Sequence, residues 1–402
     1  MPSLPLFNRP FVLAALAHLF FGVSMFLFLH LPGFLKELGA GEASIGRIMA
    51  AQAMAGMLCG PLVGRLLDVY GRRAVILAGT VVFTIGVALY LTITGIGPWV
   101  YVIRIIDGAG AVAVYAGLFT YASDHIAPSR RTQGLAIFGA SGLLPMALSG
   151  QLGDMILARS SYHVLFLTSL AFASMVLVLV LPLRDAGHVG QSRDGSRGIV
   201  SALVQRDLMP VWFAAFAFFF AAVGPFTFMK TFVMTTGAGS VGGFFTAYAS
   251  IAIALRVFFG WLPDRVGPTR VLGPALLSYA AGLTLLASTS GPGDVLAAGL
   301  LCGAGHGFAF PILLGLVVAR VNESDRGTGM GVYTTIDFVG HMLGPPILGL
   351  AIEAGGYGST YRGLAVFLVV SVVVFYAWDA MATSVSAEDG MQGEEAGDRP
   401  VA

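Results

Sequence analysis

The sequence predicts an all-α membrane protein in which twelve transmembrane helices form two parallel-repeat six-helix bundles. Three observations lead there. Of 402 residues, 56% are hydrophobic and only 11% charged, too few charges to cover a soluble globule of this size. Apolar runs of about 20 residues, the length that crosses a bilayer core, recur along the whole chain. Finally, several stretches repeat between the two halves in nearly one register, as expected if six spans were duplicated in parallel.

The runs, bounded by charges or by Gly and Pro clusters, are Phe11 to Leu35, Ile45 to Leu67, Ala74 to Thr94, Trp99 to Ser123, Thr132 to Leu152 and His163 to Leu183 in the first half. The second half contributes Leu208 to Phe232, Gly242 to Leu262, Val271 to Ser288, Asp294 to Val318, Thr328 to Ile352 and Gly363 to Met381. The first run is too long for the apolar part of a cleaved signal and is followed at once by a second span, so a permanent helix is expected. This division gives an N-terminal bundle over 1–183, a polar linker over 184–207, a C-terminal bundle over 208–381 and a tail over 382–402. The tail carries five acidic residues between Glu388 and Asp398 and almost no large apolar side chain, a composition expected to remain disordered.

Placement of Lys and Arg sets the orientation, because cytoplasmic loops hold the excess. With the N-terminus inside, fourteen fall on inner segments and only Lys36, Arg47, Arg159 and Arg362 on outer ones. Both termini are therefore expected in the cytoplasm, with the protein in a bacterial inner membrane. A net charge of +1 without a concentrated basic face argues against a nucleic-acid partner. Cys59 and Cys302 both lie in apolar runs and read as packing residues.

The repeat is clearest in GRLLDVYGRR, Gly64 to Arg73, and GWLPDRVGPTR, Gly260 to Arg270. Glycine, aspartate and second glycine recur at an offset of 196 (64 and 260, 68 and 264, 71 and 267). DGAG at Asp107 matches CGAG at Cys302, and RRTQG ending at Gly134 matches DRGTG ending at Gly329, both at an offset of 195. Gly56, Gly60 and Gly64 share one face of span two and would admit a neighbouring helix closely. Asp68 continues that spacing into the loop, where a carboxylate can meet the positive end of another helix.

On these residues the chain resembles the major facilitator superfamily: Gly64 to Arg73 is similar to the family's signature loop, and RIIDGAG in span four to its Arg and Gly motif. The resemblance implies secondary transport by alternating access, with a small-molecule substrate held between the halves. It also implies a latch closing the cytoplasmic side in one state of the cycle, formed by Gly64, Asp68, Gly71 and Arg72, with Asp264 and Arg265 as a looser second copy. Spans one, four, seven and ten face the centre in this fold, which nominates His18, Met25, Tyr115, Trp212, Phe216, Phe220, His306 and Phe310 as an apolar, aromatic cavity lining suited to an amphipathic compound. Similarity to the drug and sugar efflux branch implies export against protons. In that branch span five holds a Gly-Pro motif, whereas Leu144 precedes Pro145 here; the cleaner copy, GPPILG, is in span eleven.

Charges inside spans are costly, so they are the best functional candidates. Arg104 and Asp107 lie three apart on one face of span four and can pair, either as a self-neutralised structural pair or as a titratable pair facing the cavity. Asp337 and His341 lie four apart in span eleven, and a proton could be held between them. The alternatives for this pair are a packing hydrogen bond or, with His306 as a third ligand, a metal site; no metal is expected. Lys230 and Arg256, nearer span ends, either snorkel to the interface or contact the substrate. No phosphate-cradling loop, zinc-protease helix or hydrolase elbow occurs, so no cofactor and no enzymatic activity are expected. A monomer is expected. Uptake of a metabolite, or a sensor that kept the fold without transporting, are the competing functions.

Overall fold

The computed structural model describes residues 7–126, 131–185, 203–321 and 325–397, and every regular element among them is helical. The first span is α1 (Arg9–Phe26), a 3-10 turn (Leu27–His30) and α2 (Leu31–Glu37). Spans two to six are α3 (Glu42–Tyr70), α4 (Arg72–Leu89), α5 (Pro98–Asp124), α6 (Arg131–Arg159) and α7 (Tyr162–Val180). In the second half, α8 (Met209–Thr236) and α9 (Val241–Phe259) are followed by a short α10 (Leu262–Val266). Then come α11 (Pro268–Ala287), α12 (Pro292–Arg320) and α13 (Arg326–Gly397). The last holds spans eleven and twelve, separated where Gly356 takes φ 78° and ψ 173°.

Among the described residues ten helical stretches are long and apolar enough to cross a membrane, the last being the 56-residue pair. The fifth expected span falls on α6, whose 29 residues reach about 44 Å at 1.5 Å per residue. Residues 186–202, most of the expected linker, lie outside the described residues. The backbone of 382–397 continues the helix of span twelve.

Several helices are longer than the roughly 20 residues a bilayer core needs, and that moves one motif residue. Asp68, expected in a loop, lies on the last turn of α3, which ends only at Tyr70. Gly71 stops it with φ 83° and ψ 163°, and its repeat partner Gly267 takes φ 103° and ψ 130°. The second glycine of each copy therefore makes a turn that a Cβ would strain by about 1–3 kcal/mol. Gly71→Ala should lower stability by that amount, while Gly64→Ala, where nothing lies within 4 Å, should change it little; thermal unfolding of both variants checks this.

Packing follows the apolar faces. Phe11, Ala14, Ala17 and Phe21 of α1 are buried at helical spacing. α8 is instead buried nearly all round, with Ala214, Ala215, Ala217, Phe218, Ala221 and Ala222 excluded from the surface. Alanines there let neighbouring helices approach this central helix from several sides.

The two halves meet asymmetrically. At the arginine-poor end, α3 packs against α13 and α6 against α9: a Cβ on Gly349 would lie 2.9 Å from the Ala43 Cα, and one on Gly150 would lie 3.0 Å from the Gly242 Cα. Contact persists along α3 to Gly56, which faces Phe338 of α13 at 2.6 Å from a built Cβ. Beyond it, a Cβ on Gly60 or Gly64 would meet nothing within 4 Å among the described residues. The close approach expected at all three glycines thus occurs only at the first. The halves separate over the last turns before the arginine-rich end.

Candidate functional site

In the N-terminal half, Arg104 and Asp107 are drawn together from one face of α5 and are both buried, with Nη1 3.2 Å from Asp107 Oδ2. Burial requires further partners. Gln52 of α3 supplies Oε1 to Arg104 Nη2 at 2.6 Å and donates from Nε2 to Asp107 Oδ2 at 3.0 Å. The Tyr90 hydroxyl accepts from Arg104 Nη1 at 3.2 Å and donates to Asp107 Oδ2 at 3.1 Å. Arg104 Nε and Asp107 Oδ1 have no hydrogen-bond partner. This is a closed quartet of α3, α5 and the 3-10 turn Tyr90–Thr92, not a pair facing the cavity. Gly86 permits it, because a Cβ there would lie 2.9 Å from the Asp107 backbone.

In the C-terminal half, His341 Nδ1 lies 3.0 Å from Asp337 Oδ1, with side chains 38% and 34% exposed. Nearby on α12, His306 Nδ1 is 2.6 Å from the Tyr248 hydroxyl and its ring stacks on Phe310 at 5.6 Å. Arg256 does not extend to the interface; its Nε donates to the Gly307 carbonyl at 3.2 Å. Among the described residues no group of three His, Cys, Asp or Glu side chains is placed to hold a metal ion.

The nominated lining residues separate into two groups. Tyr115 is exposed, and Met25, Phe216, Phe220, His306 and Phe310 are half-buried. His18 is buried, stacked on Phe138 at 4.5 Å and near Tyr115 at 5.7 Å; Trp212 is also buried. Both share a helix face with half-buried candidates, His18 with Met25 and Trp212 with Phe216 and Phe220, and differ from them in being covered at their own level.

Among the described residues the contacts of the expected latch stay within the N-terminal half. Asp68 is 65% exposed, 3.4 Å from Arg72, which also reaches Asp124 at 3.1 Å and the Leu67 carbonyl at 2.8 Å. All four residues belong to the N-terminal half. Asp264 is exposed, and Arg265 lies 4.9 Å over the Trp261 ring. Gln52, Tyr90 and Tyr248 escaped the sequence reading. Gln52 and Tyr248 had a signal, being polar groups inside predicted spans and 196 positions apart, the offset of the repeat.

Paired bundles of crossing helices, buried charges in mid-span and a gap opening to one end define a membrane transporter. The Major Facilitator Superfamily matches residues 11–262 and again 211–394, and the chain belongs to that family. It is 26% identical over 321 residues to multidrug resistance protein MdtL of Klebsiella pneumoniae, covering 77% of this chain and 81% of that protein. To multidrug resistance protein 2 of Bacillus subtilis it is 22% identical over 342 residues, 80% of this chain and 83% of the other. Among solved structures, the nucleoside transporter NupG superposes with a TM-score of 0.77 at 15% identity, covering 92% of this chain and 100% of that one. A peptide transporter superposes with a TM-score of 0.80 at 12% identity, over 95% and 97%. The protein is a multi-pass integral membrane transporter, with a small-molecule substrate and a lipid bilayer as its surroundings.

Proposed function

We propose that the chain exports a small amphipathic organic compound in exchange for protons, by alternating access, as a monomer in a bacterial inner membrane with both termini in the cytoplasm. The observation that carries this reading is the Asp337–His341 pair, one-third exposed on α13 where the halves separate. A carboxylate and an imidazole in contact can share and release one proton, and both side chains are partly exposed there. Aromatic side chains around it, Phe219 at 6.5 Å from the His341 ring and Phe310 near Tyr333 at 5.9 Å, suit an amphipathic ligand. The names of the multidrug resistance relatives support export.

Inverted vesicles with an imposed proton gradient test the direction: accumulation of an exported dye driven by proton exit is expected, and accumulation with the opposite sign would establish uptake instead. A thermal-shift screen against a metabolite and drug panel identifies the ligand class, since a ligand of the folded state raises Tm. If ligands bind but liposomes show no flux for any of them, the sensor reading replaces this one. Reporter fusions after Gly190 and Ala387 should be active only inside the cell; an externally active fusion at either place would overturn the orientation.

A further inference from the structure

At the arginine-poor end two carboxylates reach across from one half to the other, and both end on the same kind of group. Asp154 of α6 accepts a hydrogen bond from the Gly242 backbone amide at 2.6 Å through Oδ2. Glu353 of α13 accepts one from the Ala43 amide at 3.0 Å through Oε1. Gly242 is the second residue of α9 and Ala43 the second of α3. These amides have no partner inside their own helix, and each sits at the positive end of a helix dipole.

The two contacts are copies of one another. Glu353 follows Asp154 by 199 positions, and Gly242 follows Ala43 by the same 199. One turn before each carboxylate stands a glycine, Gly150 and Gly349, again 199 apart, and each lies against the backbone that its carboxylate grips. A side chain at either glycine would hold the helix start out of reach. The recurring unit is thus Gly-x-x-x-acid on spans five and eleven, docked on the first turns of spans eight and two.

Asp154 has further partners, and the helix start that Glu353 grips is braced as well. His30 Nε2 lies 3.1 Å from Asp154 Oδ1, leaving Oδ2 for Gly242, and Lys230 of α8 and Tyr162 of α7 face the same group. In the second copy Lys36 binds Glu42 beside Ala43 at 2.6 Å and crosses to Thr235 Oγ1 at 3.0 Å. Among the described residues His30 Nδ1 and Glu42 Oε2 are buried in this layer without a protein hydrogen bond, and the Tyr357 hydroxyl also faces Glu42.

We propose that Asp154 and Glu353 are positioning residues that hold the arginine-poor end shut as a duplicated carboxylate-on-helix-start clamp, whose release exposes the substrate path to that side. The consequence for transport rests on the alternating-access reading; the clamp itself is measured without substrate or gradient.

The test is a spin-label distance between Ser160 and Ser288, one on each half at this end, in a Cys59→Ser, Cys302→Ala background. A second pair, Thr94 and Ser160, lies within one half and reports folding. Asp154→Asn and Glu353→Gln keep shape and remove charge. Each should move the cross-half population toward the longer distance by about 3- to 30-fold, as expected for a charge at a helix start, with the intra-half distance unchanged. Asp154→Glu should stay closed. An unchanged cross-half distribution in both neutral variants overturns the proposal, as does opening of Asp154→Glu to the extent of Asp154→Asn. If Asp154→Asn alters the intra-half pair, Glu353→Gln decides alone. Loss of proton coupling with the clamp distances intact would count against the proposed function and not against the clamp.

Discussion

Arg104→Ala should cost the protein about 3–5 kcal/mol, the penalty for leaving one member of a buried ion pair uncompensated. Asp107 would remain fully enclosed, with only Gln52 and Tyr90 donating to it. The expected sign is a large fall in Tm of the purified protein and loss of proton-driven transport. Arg104→Ala combined with Asp107→Ala should recover much of the stability, because no buried charge is stranded, yet leave coupled transport absent if the quartet takes part in coupling. Coupled transport in the double variant would sink that role and leave a purely structural quartet. A single variant with wild-type Tm would contradict the buried-charge argument. Gln52→Leu should produce a smaller loss, since it removes one donor and one acceptor and leaves the ion pair in place.

Asp337→Asn should eliminate substrate-driven proton movement while allowing energy-independent exchange of labelled substrate. The pair is partly exposed, so the substitution strands no buried charge and the protein should remain folded. His341 would keep the Asp337 backbone carbonyl, 3.0 Å from its Nδ1, and lose only the carboxylate. A proteoliposome assay that follows internal pH and labelled substrate together separates the two activities. Normal pH-gradient-driven transport by this variant would remove the coupling role and leave a local hydrogen bond. His341→Gln gives a second view of the same proton, with proton-coupled transport expected to fall while energy-independent substrate exchange persists.

The two pairs also show where sequence reasoning reaches its limit. Arg104 with Asp107 and Asp337 with His341 are spaced at three and four on single helices, so helical geometry alone predicts that each pair can meet. The environment of each pair is another matter. One pair is sealed by Gln52 from 52 positions upstream, and the other lies at the gap. Similarly, Gly56, Gly60 and Gly64 form one stripe by spacing, but only Gly56 has a neighbour across the halves. The stripe reports where a helix can come close, and the access state decides how far along it does.

What the sequence determined by itself is the part that depends on composition and local period: helical spans long enough for a bilayer, their alternation, the excess of arginine at one end and the internal duplication that predicts paired bundles. Each follows from the cost of placing a charge or an unpaired backbone group in hydrocarbon, a cost every residue carries regardless of its distant neighbours. Only the tertiary structure decided that His18 and Trp212 are buried, that Asp68 is largely exposed, and that Asp154 and Glu353 grip helix starts 88 and 310 positions away in the chain. Those facts depend on how each helix is rotated about its axis and on which end of the bundle pair is closed. Hydropathy is blind to rotation, because a lipid-facing and a core-facing leucine read alike; packing between helices is what sets it.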